Sequence, residues 1–301
     1  MCYSSLVKRS FKKIAARYRA VVRDEAFVDL YAMRVRDPSI KIPLGMDAGA
    51  LELDGMAAKS IAKSIREFTA GEDARLRQAT EDLHAEIAEI ESRLKVKVTK
   101  TAQKQLETKL RKRDKLLRPI EQPTGETYRI YPYYFAPVII ETNGVRELLP
   151  MRYRLLPRTA VEVPGQYNVF NARRDSLQSA RTWKPLFGSK HAIFPFERFY
   201  EWVERDGRKV ELTFSPDGFE EMWAASLYEE TKTRNGLIRS FAMVTDEPPP
   251  EVAAAGHDRC PVFLSESLLD DWLRPNGKPL LDLDALLDHK QSTYFSNALA
   301  A

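Results

Sequence analysis

Cys2 is the residue whose position offers this chain its most distinctive chemistry. Its small side chain favours removal of Met1, and the new N-terminal residue would then carry both a free α-amine and a thiol. An α-amine titrates near ~7.7–8.0 and a thiol near ~8.5, so both are partly nucleophilic at neutral pH. Such an aminothiol can form a Schiff base with an aldehyde and then close a thiazolidine ring through its sulfur. This chemistry requires further residues that move protons.

Glu201 is one candidate for proton transfer. It lies between Tyr200 and Trp202 on a predicted strand, and strand alternation places both aromatic side chains on the face opposite the carboxyl. A carboxyl that faces an apolar interior has a raised pKa, which suits a general acid or base. The alternative is an edge-strand glutamate that faces water. Tyr200 and Trp202 could stack on an unpaired base or pack in the core.

Two further segments add polar groups of the same kind. His257 lies in a turn that begins with Gly256 and precedes a predicted strand, where histidine can transfer protons or serve the structure alone. Asn171 and Arg173 belong to FNARRDS at 170–176. The amide could orient a nucleophile and the guanidinium could hold a phosphate. The alternative is a turn-forming asparagine with solvated arginines.

These residues need a scaffold, and the second half of the chain predicts a β-rich one. From about residue 126, short aromatic and β-branched runs are separated by Pro, Asn and Gly. Such closely spaced strands with few helices predict an α+β fold with a barrel-like core of mainly antiparallel strands. The runs include TYRIYPYYFAPVIIET, HAIFPF, RFYEWVE, RKVELTF, EMWAASLY and SFAMVT.

The first half predicts helices. Residues 5–70 form a helical N-terminal region, with a Pro- and Gly-containing connector at 36–56 and a short helix at 57–69 that ends before Gly71. Residues 72–118 predict an antiparallel helical hairpin, because a coiled-coil seam of apolar residues breaks at KVKVTKT and then resumes.

The two arms of this hairpin carry opposite charge. Residues 72–94 have a net charge of −4, and residues 95–118 have a net charge of +8. The charges could pair between the arms, or the second arm could bind nucleic acid, and a basic excess allows both interpretations.

Composition narrows the class of protein without selecting a function. Two cysteines, Cys2 and Cys260, are too few for a disulfide framework, and no Cys/His cluster has zinc-ligand spacing. We therefore expect neither a metal nor a cofactor. No apolar run reaches transmembrane length, which predicts a cytoplasmic protein, nucleoid-associated if bacterial, with no membrane partner. The net charge of +4 permits nucleic acid as a partner.

Taken together, Cys2, FNARRDSL, FYEW and VTDEPPPEVAAAGHDRCPVFL resemble the SOS-response-associated peptidase (SRAP) family, whose members shield abasic sites in single-stranded DNA. MRYRLLP at 151–157 also resembles a strand of that family. The resemblance implies a single domain over 1–301, with Cys2 and 126–301 as its core and the hairpin as an insertion. It also implies the compact β-rich fold of the family.

The resemblance implies a role for each matching residue. Cys2 would form a thiazolidine with the ring-opened sugar, Asn171 would orient the N-terminal residue, and Glu201 and His257 would move protons. The DNA-binding residues implied are Arg173, Lys184, Trp202, Thr245 and Arg259, of which the two arginines would hold phosphates near the lesion.

The chain departs from the family pattern beside these positions. Tyr3 and Ser4 replace Gly-Arg after the cysteine, and Arg198 replaces the glycine before Phe-Tyr-Glu-Trp. Asp175 replaces a glutamate, and Tyr153 and Arg154 replace Trp-Gly. These departures leave open a different aldehyde or modified base as the target.

Three functions therefore stay open. The chain could be an abasic-site sensor that crosslinks to single-stranded DNA through Cys2. It could be a self-processing or general cysteine peptidase in which His257 activates the thiol. It could also be a DNA-associated assembly protein whose hairpin at 72–118 recruits a protein partner.

Overall fold

The computed structural model describes residues 4–7, 10–117, 128–159, 161, 167–205, 207–234 and 236–300. The described residues form an α+β fold, as predicted. Its strands are β1 (Ser4–Leu6), β2 (Val21–Val22), β3 (Arg129–Ile130), β4 (Phe135–Thr142), β5 (Val145–Tyr153), β6 (Asn171–Arg173), β7 (His191–Phe196), β8 (Arg198–Arg205), β9 (Arg208–Pro216), β10 (Met222–Thr233), β11 (Gly236–Asp246), β12 (Cys260–Pro261) and β13 (Phe295–Leu299).

Five strands close into a barrel. They follow the order β11-β10-β7-β4-β5 with antiparallel neighbours, and β5 then pairs with β11 in parallel to complete the ring. Ser240 and Phe241 lie opposite Arg152 and Tyr153 at this closure. The predicted barrel-like, mainly antiparallel core is therefore confirmed.

Aromatic side chains fill the barrel. Phe241 stacks on Tyr153 with ring centroids 5.2 Å apart and contacts Phe194 at 5.0 Å, and Phe194 stacks on Phe196 at 5.1 Å. All four side chains are buried, and full burial of each stabilises the fold by roughly 1.5–3 kcal/mol. The barrel therefore has a closely packed aromatic core.

A second sheet lies beside the barrel and carries the N-terminus. Its order is β13-β9-β8-β1-β3, so β8 runs through the middle between β9 and β1. Ser4 pairs with Tyr200 in the antiparallel contact of β1 with β8. Ser4, the first residue that the structure describes, therefore lies opposite the residue that precedes Glu201.

The helices of the described residues are α1 (Phe11–Tyr18), α2 (Asp24–Arg36), α3 (Leu44–Leu51), α4 (Gly55–Val96), α5 (Lys100–Leu117), α6 (Pro250–Ala254), α7 (Leu269–Leu273) and α8 (Leu280–Leu286). None of them combines the length and the apolar character needed to cross a membrane.

The region 5–70 is less uniformly helical than predicted. β1 and β2 interrupt it, because β1 is held between two neighbouring strands and its tertiary pairing overrides the local preference. The connector at 36–56 contains α3, where an extended link was expected. The assignment of 1–301 to one domain stays a prediction.

The hairpin begins earlier than the predicted residue 72. α4 runs without interruption from Gly55, so the expected short helix and the first arm are one helix. An interior glycine costs a helix only about 1 kcal/mol relative to alanine, which the long flanking turns offset. The Arg75 side chain also donates to the Gly71 carbonyl at 3.2 Å.

α5 packs antiparallel on the distal half of α4. Leu83, Ile87 and Ile90 of α4 are buried, as is Ala102 of α5. Across the pair Lys109 contacts Glu86, and Arg93 donates to Gln105 at 3.1 Å. The predicted antiparallel hairpin is thus present, and it reverses at the break in the apolar pattern.

Candidate active site

Glu201 is an interior residue of β8. Phe199, Glu201 and Val203 are buried on one face of this strand, whereas on the other face Trp202 is 48% exposed and Tyr200 is buried under the Arg129 guanidinium. Glu201 is only 2% exposed, because β9 and β1 flank its strand. The alternative of a water-facing edge glutamate is therefore excluded, and the predicted alternation holds for Glu201 and Trp202, whereas Tyr200 is covered on its own face.

The turn that follows α6 brings His257 to this strand. Gly256 has φ +98°, a left-handed conformation that favours glycine, and its amide donates to Ala253 at 2.9 Å to end the helix. A β-carbon at Gly256 would lie 3.6 Å from Val203, so the turn packs against β8. Because the turn packs closely on β8, the side chain of His257 lies next to Glu201.

Glu201 and His257 form the central pair of the site. His257 Nε2 lies 3.2 Å from Glu201 Oε2, and the side chains are 9% and 2% exposed. His257 Nδ1 lies 2.8 Å from the Arg259 carbonyl and 3.3 Å from the Arg259 amide nitrogen. We assign the Nδ1 proton to the closer carbonyl, which leaves Nε2 to share one proton with the carboxyl.

Burial sets the proton affinity of the Glu201 carboxyl. Desolvation raises the pKa of the Glu201 carboxyl above its ordinary value, and the hydrogen bond from His257 opposes part of that rise. The carboxyl therefore holds a proton at higher pH than an exposed glutamate does. A buried carboxyl and an imidazole in contact can deliver and recover one proton within a single site.

Asn171 lies in β6, which extends the barrel sheet. It pairs in parallel with Met243 of β11, and its backbone N–H donates to Asn168 Oδ1 at 3.0 Å. The Tyr153 hydroxyl donates to Asn171 Oδ1 over 3.4 Å, and both residues are buried. The Asn171 backbone is thus fixed beside β11, and its buried side-chain oxygen faces the Tyr153 hydroxyl.

The two arginines proposed to hold phosphates share one carboxylate. Arg173 Nη2 and Arg259 Nη2 lie 2.6 and 2.9 Å from the same Asp175 oxygen. Hydrogen bonding from Arg173 first, and then from Arg259, lowers the pKa of Asp175. Arg173 is exposed and Arg259 is nearly buried. Asp175 therefore joins an outer and an inner arginine into one cluster.

Arg174, between these residues in sequence, has a structural role. Its guanidinium contacts three carboxylates, Asp246, Asp284 and Asp288, and so ties the β6 region to α8. Of the two consecutive arginines in FNARRDS, only Arg173 faces outward.

The remaining implied DNA contacts differ in exposure. Lys184 and Trp202 lie at the surface, whereas Thr245 is fully buried between Arg173 and Pro261 in neighbouring strands. Thr245 Oγ1 has no hydrogen-bond partner among the residues that the structure describes. The side chain of Thr245 can therefore contact DNA only if neighbouring groups move.

Cys2 lies outside the described residues, but the contacts that hold the nearby strand β1 are described. Arg129 Nη2 donates to the Ser4 hydroxyl at 2.6 Å, and its guanidinium pairs with Glu211 and stacks over the Tyr200 ring at 3.7 Å. The sequence reasoning missed Arg129. An arginine inside the aromatic strand TYRIY was the available signal, because a charge there requires a partner.

Within the described residues, no three His, Cys, Asp or Glu side chains are grouped so as to hold a metal ion. Cys260, the other cysteine, is buried in β12.

Comparison with known proteins places this geometry in context. Residues 93–298 match the family model described as SOS response associated peptidase (SRAP). The abasic site processing protein YobE of Bacillus subtilis (strain 168) is 28% identical over 169 residues, which cover 55% of this chain and 77% of that protein. The abasic site processing protein YoqW of Bacillus phage SPbeta is also 28% identical over 169 residues, 55% of this chain and 75% of that protein. A crystal structure of a Bordetella bronchiseptica protein aligns with a TM-score of 0.48 at 21% identity, covering 58% of this chain and 87% of that one.

Proposed function

This chain belongs to the SRAP family, and from that premise we propose that it processes abasic sites in DNA by covalent capture through Cys2. The observation that carries the proposal is the buried Glu201–His257 pair, with 3.2 Å between Oε2 and Nε2, beside the strand that leads to Cys2. The relatives named as abasic site processing proteins supply the class of substrate.

Chain connectivity brings Cys2 within range of the pair. Ser4 is paired with Tyr200, and two residues of extended chain span at most about 7 Å. On this proposal the α-amine and thiol of Cys2 would act in the vicinity of Glu201. Such confinement would replace a bimolecular encounter with an oriented, local one.

The proposed reaction is a condensation. After Met1 is removed, the α-amine of Cys2 attacks the aldehyde carbon of the ring-opened sugar, and the resulting carbinolamine loses water to give a Schiff base. The thiol then adds across the carbon–nitrogen double bond: sulfur bonds to carbon, and the thiol proton passes to nitrogen. One water leaves overall, and the oxidation state of every atom is balanced without a further reactant.

Glu201 and His257 would carry out the proton transfers of this reaction, at the loss of water and at the addition of the thiol. Protonated Glu201 would donate to the departing hydroxyl, and His257 would return a proton to the carboxylate or accept one from the thiol. The buried Asn171 amide would orient the N-terminal residue. Arg173 and Arg259 would hold flanking phosphates, and the exposed Trp202 would stack on an unpaired base.

A crosslinking gel tests the proposal. Protein whose Met1 removal is confirmed by intact mass is mixed with single-stranded DNA that carries one abasic site, and the products are separated under denaturing conditions. We expect a shifted band from the wild type and from Cys260→Ala, and none from Cys2→Ala. A band retained by Cys2→Ala would exclude the thiazolidine.

The description of the family as a peptidase favours one second candidate, self-processing at Met1. In that case the Cys2 thiol, activated by His257, would cleave the preceding peptide bond. Purified chain that retains Met1 would then lose the mass of one methionine on incubation, and the His257→Ala variant would not. Retention of Met1 by both proteins would exclude self-processing and leave the capture proposal unaffected.

A further inference from the structure

The outer face of α5 carries cations that the hairpin does not use. Ala102, Leu106 and Lys109 point toward α4, as their burial and the Lys109–Glu86 pair indicate. At about 100° per residue, Lys100 and Lys104 lie on the opposite side of the helix. Arg111 falls on the same line, within about 40° of both.

These three residues are exposed, and none forms an ion pair among the described residues. Lys100 and Arg111 are eleven steps apart in sequence, or about 16 Å along the helix axis. That length matches several successive phosphates of one nucleic-acid strand, which are about 3.4 Å apart along a duplex axis.

This face of α5 keeps an excess of positive charge: Glu107 lies on the same side, so three cations face one anion, and Asp114 pairs with its neighbour Arg113. The first turn of α5 contains no acidic residue, so Lys100 adds to the positive end of the helix dipole. The acidic residues of the hairpin lie mainly on α4, and across the two helices only Glu86 pairs with a base in the described residues. Among the described residues, Lys109–Glu86 is the one ion pair between the two arms, so most of the basic side chains of α5 are left for other partners.

We infer that the outer face of α5 is a second nucleic-acid contact, in which Lys100, Lys104 and Arg111 bind the phosphate backbone outside the lesion site. The contact requires neither an abasic site nor Cys2. It rests on the proposed function only in that DNA is the common partner, and it is therefore tested on intact DNA.

The test uses the full chain with Lys100, Lys104 and Arg111 changed to glutamine together. The matched control changes Lys59, Lys232 and Arg234 to glutamine, which removes the same charge from exposed positions elsewhere. Binding of fluorescent, undamaged single-stranded and duplex DNA is followed by anisotropy from 0.05 to about 0.3 M salt. Circular dichroism checks that both variants keep their helices.

We expect the α5 variant to bind about tenfold to a hundredfold more weakly than the control near 0.1 M salt, because each phosphate contact releases a counterion. Its plot of log affinity against log salt should be shallower by about 2 for single strands. Equal affinity and slope in the two variants would overturn the inference, and the face would then be open to a protein partner. Crosslinking of abasic DNA by the same α5 variant at saturating concentration should persist. If wild type bound intact DNA as expected and yet failed to crosslink, the proposed function would fail and this contact would stand.

Discussion

At the scale of single residues, the site depends on one buried proton. Glu201 and His257 are in contact, and the Arg259 carbonyl fixes the orientation of the imidazole. A group that is costly to bury is retained in sites where its altered proton affinity is used. The proton on Glu201 would take part in the proposed reaction, and losing it from a buried carboxyl lowers the free energy of unfolding.

The substitution Glu201→Gln should separate these two effects. It removes the proton donor, so we expect the rate of covalent capture to fall by about 10² to 10⁴. Because burial raises the pKa of Glu201, the folded wild type binds the carboxyl proton more tightly than the unfolded chain does. The free energy of unfolding that this group contributes is therefore lost as pH rises through the folded-state pKa.

We accordingly expect the Tm of Glu201→Gln, relative to wild type, to be higher at pH 8 than at pH 5. Thermal unfolding at the two pH values and single-turnover capture measure the two effects. A variant with wild-type capture rate would remove Glu201 from the mechanism.

Asp175 should limit the affinity for DNA. It neutralises Arg173 and Arg259 together, so Asp175→Asn frees two guanidinium groups for phosphate. We expect noncovalent affinity for intact DNA to rise by roughly three- to tenfold near 0.1 M salt. Asp258→Asn removes the same charge from an exposed neighbouring position and is the matched control. Equal gains in both variants would show that net charge alone is responsible.

At the scale of elements, the short strand β1 determines where the N-terminus lies. It has three residues, and the buried Arg129 holds it through Ser4 while pairing with Glu211. A three-residue strand has little backbone pairing of its own, so we expect this side-chain anchor to hold Ser4 and β1 in place.

Arg129→Met tests this anchor. Removing one partner of a buried ion pair leaves the other uncompensated, and we expect a loss of about 3 kcal/mol in the free energy of unfolding. Capture should slow even under conditions where the variant is folded, with faster hydrogen exchange confined to Ser4–Leu6. Arg205→Met, at the exposed end of β8, is the control. Wild-type capture by folded Arg129→Met would show that β1 needs no such anchor.

The elements also show how far local sequence determines structure. Alternation in FYEW predicted which face of β8 is buried, since a strand between two neighbours follows its own period. β1 could not be predicted in this way, because three residues carry no period and their strand pairing comes from distant β3 and β8. Gly71 misled the prediction for α4, because a single unfavourable residue is outweighed by the cooperativity of a 42-residue helix.

At the scale of the whole molecule, a buried histidine joins the barrel to the C-terminal helices. His191 Nδ1 donates to the Trp272 carbonyl at 2.9 Å, and Nε2 accepts from the Gly188 amide at 3.1 Å. Both nitrogens of the neutral ring are thereby satisfied. Burial lowers the pKa of His191 to about 3, so the folded protein holds it uncharged.

This histidine predicts an acid-sensitive fold. The unfolded chain takes up a proton on this residue below about pH 6.5, whereas the folded chain does not, so stability is present above that pH and is lost as pH falls toward 3. Between pH 7 and pH 5 we expect wild type to lose about 2 kcal/mol more than His191→Gln. Urea unfolding at both pH values measures the difference, and equal losses would show that His191 does not govern it.

The short aromatic and β-branched runs predicted the α+β fold of the whole molecule but not the geometry of its site. The resemblance assigned proton transfer to Glu201 and His257, yet their 3.2 Å contact depends on a left-handed Gly256 and on packing against Val203. The Asp175 cluster was equally out of reach, because sequence spacing gives no sign that Arg173 and Arg259 converge on one oxygen. Long-range convergence of this kind is set by the barrel and by the turns that leave it.

The most direct test of covalent capture is the mass and attachment point of the DNA adduct. The product of wild-type protein and abasic single-stranded DNA would be analysed intact and then by peptide fragmentation. We predict a mass equal to that of the protein without Met1 plus the DNA minus one water, with the attachment at Cys2. An adduct attached elsewhere, or no adduct from folded protein with a free N-terminal cysteine, would contradict the account.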